Sequence, residues 1–170
     1  INVIFDVGAN IGQFAKDLRS AEYNGQIVSF EPLSSAYAKL LKISKKDKKW
    51  LLHERGAIGN RNEEIIINVS KNSVSSSVLP IKESHLSAAP TSVFISREKV
   101  PMFKLDSISK RYLKDSSKLF IKIDTQGYEW EVLDGARHTI SRAIGIICEL
   151  SLVPLYNNQH LWREIIDRLE

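Results

Sequence analysis

The chemistry legible in this sequence sits in a glycine-rich turn and three carboxylates. The segment Asp6-Val7-Gly8-Ala9-Asn10-Ile11-Gly12 follows an apolar run and precedes a helical pattern. Glycines at such a turn let backbone approach a ligand closely, and the helix that follows offers it free N–H groups. Glu31 closes the next apolar run, about 20 residues on, where nucleotide-binding folds place a carboxylate on a ribose diol. A dinucleotide loop reads G-x-G-x-x-G. Here Asn10 takes the place of the second glycine and the pattern is D-x-G-x-x-x-G, so no pyrophosphate needs cradling. Asp6, two residues before Gly8, suits a cationic amino-acid group on the ligand. Asp124 and Glu149 close two later apolar runs, KLFIKID and IGIICEL. If their strands are neighbours, one carboxylate raises the pKa of the other toward that of a general base.

Open α/β sheets bind ligands at the carboxyl ends of their strands, so the elements around these residues matter. Short apolar runs alternate with helical patterns, the mark of a parallel sheet flanked by helices. Strands are predicted at residues 2–6, 26–30, 50–54, 64–69, 100–105, 118–124 and 144–150. Helices are predicted at 12–21, from Ser34 or Ser35 as N-cap to about 43, at 106–113, at 130–141 and from 160 onward. Residues 70–92 are rich in serine and carry Pro80 and Pro90; they read as a long mobile loop able to act as a lid. Within that loop Asn72, Ser73, Ser75, Ser76 and Ser77 are candidates for contact with cofactor or acceptor, and His85 is the histidine best placed to act as a base. His53, His138 and His160 read as structural or exposed. Tyr128 follows one of the candidate active strands, where an aromatic ring can stack on a sugar. Glu129 reads as an anchor for the start of a helix.

The chain has 170 residues, enough for one domain, with 43% hydrophobic and 26% charged residues. Its net charge of +4 is small and dispersed, so nucleic acid is not an expected partner. The densest basic stretch, residues 42–49, reads as a solvated helix end. No apolar run reaches the length of a membrane span. The single Cys148 excludes an internal disulfide and suits the cytoplasm. The chain opens on Ile1 and stops in a helical pattern, which reads as a fragment of one domain.

The motifs FDVGANIGQF, SFEP, GAIGN, LDSI, KIDTQGYEWEVLDGA and ICEL occur in this order. Through them the chain resembles FkbM-type methyltransferases over nearly its whole length. The resemblance implies a class I methyltransferase fold: α/β, a Rossmann-like and mostly parallel sheet with helices on both faces, here without the final strand pair. It implies methyl transfer from S-adenosyl-L-methionine, mostly to hydroxyl groups of sugars, glycans and secondary metabolites. Matched by motif, Asp6, Gly8, Ala9, Asn10 and Gly12 would line the methionine and ribose side of the cofactor. Glu31, followed by Pro32, would hold the ribose hydroxyls, and Ala57 would lie by the adenine. Asp124 would face the methyl group and the acceptor, with Glu149 as the second candidate base. No metal is expected. The family pattern D-x-E-G becomes Asp124-Thr125-Gln126-Gly127 here, so an amide replaces an acid. An uncovered sheet edge would invite a homodimer. Two other readings stay open: a non-catalytic cofactor-binding module, and an NAD-dependent oxidoreductase, which the missing second glycine opposes.

Overall fold

A computed structural model describes residues 1–170. Val3–Val7 (β1) is buried at every position, as a middle strand covered on both faces must be. Gln13–Ser20 (α1), Gln26–Phe30 (β2), Ser34–Ser44 (α2) and Trp50–Leu52 (β3) follow it. Far along the chain come Leu119–Ile123 (β7) and Ala143–Cys148 (β8). These five strands form one sheet in the order β3-β2-β1-β7-β8, parallel throughout. The order reverses at β1, so the crevice above β1 and β7 is the topological switch point where such sheets bind ligands. This is the expected Rossmann-like sheet, with β8 at one edge.

Helices cover both faces. On one side α1 and α2 bring Ala15 and Leu40 against Ile27 and Trp50. On the other, Leu105–Ile108 (α4), Glu129–Asp134 (α5), Arg137–Ser141 (α6) and Trp162–Leu169 (α7) bury Leu105, Val132, Leu133, Ala136 and Ile165 against Phe5, Val28 and Ile121. No helix is long and apolar enough to cross a membrane.

A second sheet was not predicted. Ala57–Ile58 (β4), Glu63–Ser70 (β5) and Phe94–Phe103 (β6) pair in the order β4-β6-β5, with β5 and β6 antiparallel. Its inner residues Ile67, Val100 and Met102 pack with Leu33, Ala36, Ala57 and Tyr128, which brings it against the carboxyl ends of the main sheet. The connection from β5 to β6, expected as one long mobile loop, holds a helix, Glu83–Ala88 (α3), and a 3₁₀ turn at Pro90–Ser92. Its polar side chains bond one another: the Asn72 amide donates to Ser75 Oγ at 3.0 Å, and the Ser75 and Ser92 hydroxyls pair at 3.0 Å.

Two helix boundaries also differ from expectation. Neither Ser34 nor Ser35 caps α2. Glu98 of β6 accepts hydrogen bonds from the N–H and Oγ of Ser34, both at 2.9 Å, so a carboxylate from a distant strand satisfies the helix start. The helix predicted over residues 130–141 is broken into α5 and α6 at Gly135. A Cβ on Gly135 would lie 1.9 Å from the Gly59 carbonyl oxygen, so the chain bends where two backbones touch. Gly135→Ala should therefore destabilise the fold by about 3 kcal/mol through overpacking, lowering the melting temperature by roughly 6–12 °C. Calorimetric melting of the two proteins checks this; an unchanged melting temperature would show that the corner yields freely.

Candidate functional site

The site begins with a row of polar residues crossing three buried strands. Ser29 of β2, Asp6 of β1 and Lys122 of β7 are lateral partners in the sheet register. Ser29 Oγ donates to Asp6 Oδ2 at 3.3 Å and accepts from Trp50 Nε1 at 2.9 Å. The Lys122 ammonium lies 3.5 Å from Asp6 Oδ1 and 3.3 Å from Asp124 Oδ2, and donates to the Gly8 carbonyl at 3.0 Å. Burial pushes the Asp6 carboxyl above the ordinary carboxylate range, and Lys122 pulls it back.

Above this row the chain turns sharply. Gly8 adopts φ 76°, and a Cβ there would meet the Asp124 carbonyl oxygen at 1.8 Å, so only glycine fits. The N–H groups of Gly8 and Ala9 donate to the Phe30 carbonyl, which ties the turn to the end of β2. Asn10, at φ 47°, takes the left-handed conformation that asparagine tolerates. Its N–H donates to Glu31 Oε2 at 2.7 Å, while the N–H of Leu33 donates to Oε1 at 2.8 Å. Glu31 thus links the turn after β1 to the start of α2. Burial pushes its carboxyl up to about 7, despite these two donors.

A cavity of about 380 Å³ opens over these strand ends. Gly8, Ala9, Asn10, Glu31, Pro32 and Ala57 line one part, with Leu33 and Ile58. Lys122, Asp124, Thr125 and Gln126 line another, Tyr128 packs beside Leu33 and Ala57, and Ser73, Val74, Ser76, Ser77 and Val78 supply the roof. Asp124 keeps 40% of its side chain accessible, in contrast to the fully buried Asp6. Glu129, at the start of α5, accepts from the N–H and Oγ of Thr125 and the N–H of Gly127, and so shapes the loop after Asp124.

Six residues expected at the site lie outside its walls. Asp6 is sealed inside the polar row, fully buried between Ser29 and Lys122. Gly12 packs beneath Leu40 and Trp50, which a Cβ would meet at 2.8 Å. Asn72 and Ser75 spend their polar atoms on the loop itself. His85 lies edge-on against the Tyr156 ring, with ring centroids 5.4 Å apart. Glu149 is on the exposed side of the strand ends and reaches the cavity only through Gln126, whose Nε2 donates to it at 2.7 Å. Of the other histidines, His53 is buried against Tyr112 and His160 stacks on Trp130. Sequence reasoning missed Lys122. The signal was present: Lys122 and Asp124 are two apart in a strand and so share a face.

These pKa shifts have a testable sign. A carboxyl whose folded value rises from 4.5 to about 7 favours folding below pH 4.5, and that contribution is lost as pH rises through 7. The stability of the wild type relative to Glu31→Gln should therefore fall between pH 5 and pH 8 in the cofactor-free protein. Urea unfolding across that range measures the difference; a flat difference would mean that Glu31 stays ionised throughout.

Comparison with known proteins places this geometry. No curated protein matches the chain. A crystal structure of a methyltransferase FkbM from Methylobacillus flagellatus is similar over 82% of this chain and 30% of that one, at 20% identity and a TM-score of 0.49. The chain thus spans 30% of that protein's crystallised length. The family model described as the methyltransferase FkbM domain matches residues 6–170, nearly the whole sequence, and the chain belongs to that family of methyltransferases.

Proposed function

We propose that this chain is the cofactor-binding core of an S-adenosyl-L-methionine-dependent O-methyltransferase acting on a hydroxyl of a sugar, glycan or secondary metabolite. One observation carries the reading: a buried carboxylate, Glu31, and an accessible one, Asp124, face a single cavity from the ends of β2 and β7. The residues present suit that cofactor. Glu31 has lone pairs left after its two backbone donors, and two ribose hydroxyls are the donors that would lower its raised proton affinity. Ala57, Ile58, Leu33 and Ile67 give an apolar wall for a purine. The N–H of Asn10, which a dinucleotide loop would turn to a pyrophosphate, is already held by Glu31. This supports the methyltransferase reading over the oxidoreductase one.

When bound, the cofactor supplies a methyl group on a sulfonium, open to direct displacement. The chain's own task is to align a hydroxyl and remove its proton. Asp124 is the acid in reach of the cavity. Lys122 stands 3.3 Å from its Oδ2 and holds the side chain in place, and Asp124 takes the acceptor's proton as the hydroxyl oxygen attacks. A positioned base of this kind contributes about 10²–10⁴-fold. Tyr128 and the hydroxyls of Ser73, Ser76 and Ser77 border the same space and are suited to a polyhydroxylated acceptor.

Calorimetric titration with S-adenosylmethionine, S-adenosylhomocysteine and NAD tests the reading. The first two should bind and NAD should not; binding of NAD alone would overturn it. Glu31→Ala should weaken S-adenosylhomocysteine by about 10–100-fold, the loss of hydrogen bonds to a charged group. Asp124→Asn should leave that affinity nearly unchanged while methyl transfer drops by about 100-fold or more.

A further inference from the structure

Gln126, where the family pattern carries an acid, stands between the two carboxylates. Its backbone is left-handed, at φ 56°, which turns the side chain back across the strand ends. Its Nε2 donates to Asp124 Oδ1 at 3.0 Å and to Glu149 Oε2 at 2.7 Å. Its Oε1 lies 3.2 Å from the Tyr156 hydroxyl, an O–H donor that also reaches the Ser75 carbonyl at 3.0 Å. Its backbone carbonyl accepts from Ser77 Oγ at 2.7 Å. Three residues from elsewhere in the chain, Ser77, Glu149 and Tyr156, therefore meet on this one residue.

An amide has two donors on one end and an acceptor on the other. Carboxylates on one side and a phenol on the other admit a single orientation, with one N–H for each acid. Two carboxylates sharing one site do not ionise independently. The charges around them are few. Asp6 of β1 and Glu129 of α5 add negative charge, and Lys122 of β7 supplies the ammonium, bonded to Asp124. Cys148 of β8 and Tyr156 are neutral, and His85 of α3 lies behind the Tyr156 ring. The negative charge thus outweighs the positive.

We infer that Gln126 is a positioning residue that joins Asp124 and Glu149 into one proton-holding pair at the mouth of the cavity, with Tyr156 fixing the orientation of its amide. Glu149 carries the pair's proton, and Asp124 beside Lys122 is the member facing the acceptor. Partial burial and the Asp124 charge push Glu149 up to about 8, consistent with that division. An acid at position 126 would put a third carboxylate between the two; the amide bridges them without added charge. The inference rests on the proposed role of Asp124, yet its first test does not depend on turnover.

The experiment is a carbon-13 NMR titration of carboxyl-labelled Asp and Glu in the cofactor-free chain. In the wild type, Glu149 should titrate above neutrality. In Gln126→Leu both acids lose an N–H donor that favours the charged form, and the Glu149 midpoint should rise by more than about one pH unit. Tyr156→Phe should move it the same way by less. Gln126→Glu should add a third linked step. Unchanged midpoints in Gln126→Leu and Tyr156→Phe would overturn the inference. Amide spectra of each variant establish that it is folded, and Gln126→Glu, nearly isosteric, serves if the leucine variant is not. S-adenosylhomocysteine binding by the wild type is measured in parallel. Its loss would sink the proposed function alone, while the titration still decides the role of Gln126.

Discussion

The Lys122 ammonium is the charge on which the carboxyl ends of the central strands depend. It sits in a sheet whose neighbouring residues are almost wholly apolar, beside a carboxylate, Asp6, with no exposure of its own. Either charge alone in this position would be costly, because desolvation of a lone ion outweighs any packing gain. Together they are tolerated: Ser29 bonds one Asp6 oxygen, the Gly8 carbonyl takes a Lys122 N–H, and the ammonium offsets the charge of the other Asp6 oxygen, which has no hydrogen bond. The row also specifies register. A slip of one residue between β1 and β7 would carry Asp6 away from Lys122 and onto the opposite face.

From that row the constraint passes upward into the turn. Lys122 holds the Gly8 carbonyl, the Phe30 carbonyl takes the N–H groups of Gly8 and Ala9, and Glu31 takes the N–H of Asn10. The turn after β1 is thereby bonded to strands on both sides. A motif that looks like a flexible glycine loop is a fixed junction, with its inward N–H groups already used. Networks of this kind become rigid when every member is satisfied.

The main sheet was legible because its strands are buried on both faces and read as short apolar runs. The second sheet was not. Phe94–Phe103 carries the consecutive charges Arg97, Glu98 and Lys99 and contains a proline, so only its last part stands out as a strand. The start of α2 depends on Glu98, 64 residues away, and the break at Gly135 on contact with Gly59. No local pattern encodes either. Of the site, Gly8, Glu31 and Asp124 were legible because each closes an apolar run. Lys122 was passed over as an interruption of one, although its spacing from Asp124 put both on one face. Ser75, Asn72 and His85 drew notice as polar residues in a loop, where composition does not distinguish groups that bond the loop from groups that face a ligand.

The two parts of the cavity are held by different kinds of interaction, and this has a consequence for specificity. The part beside Glu31 is built from backbone N–H groups and short motifs at adjacent strand ends. The part under Ser73 to Val78 is held by side chains from distant segments: Ser77 on the Gln126 carbonyl and Tyr156 on the Ser75 carbonyl, with the backbone N–H of Lys82 on the Leu155 carbonyl beside them. Substitutions in the serine-rich roof therefore alter the second part and leave the row of Ser29, Asp6 and Lys122 untouched. Under the proposed function, the cofactor end is constrained by the main sheet itself, whereas the acceptor end is constrained by the pairing of Ser77 with Asn68 of β5 and by the bonds of Ser77 and Tyr156 to Gln126. A change of acceptor along such a family would need roof residues to vary while those bonds to the loop after β7 persist.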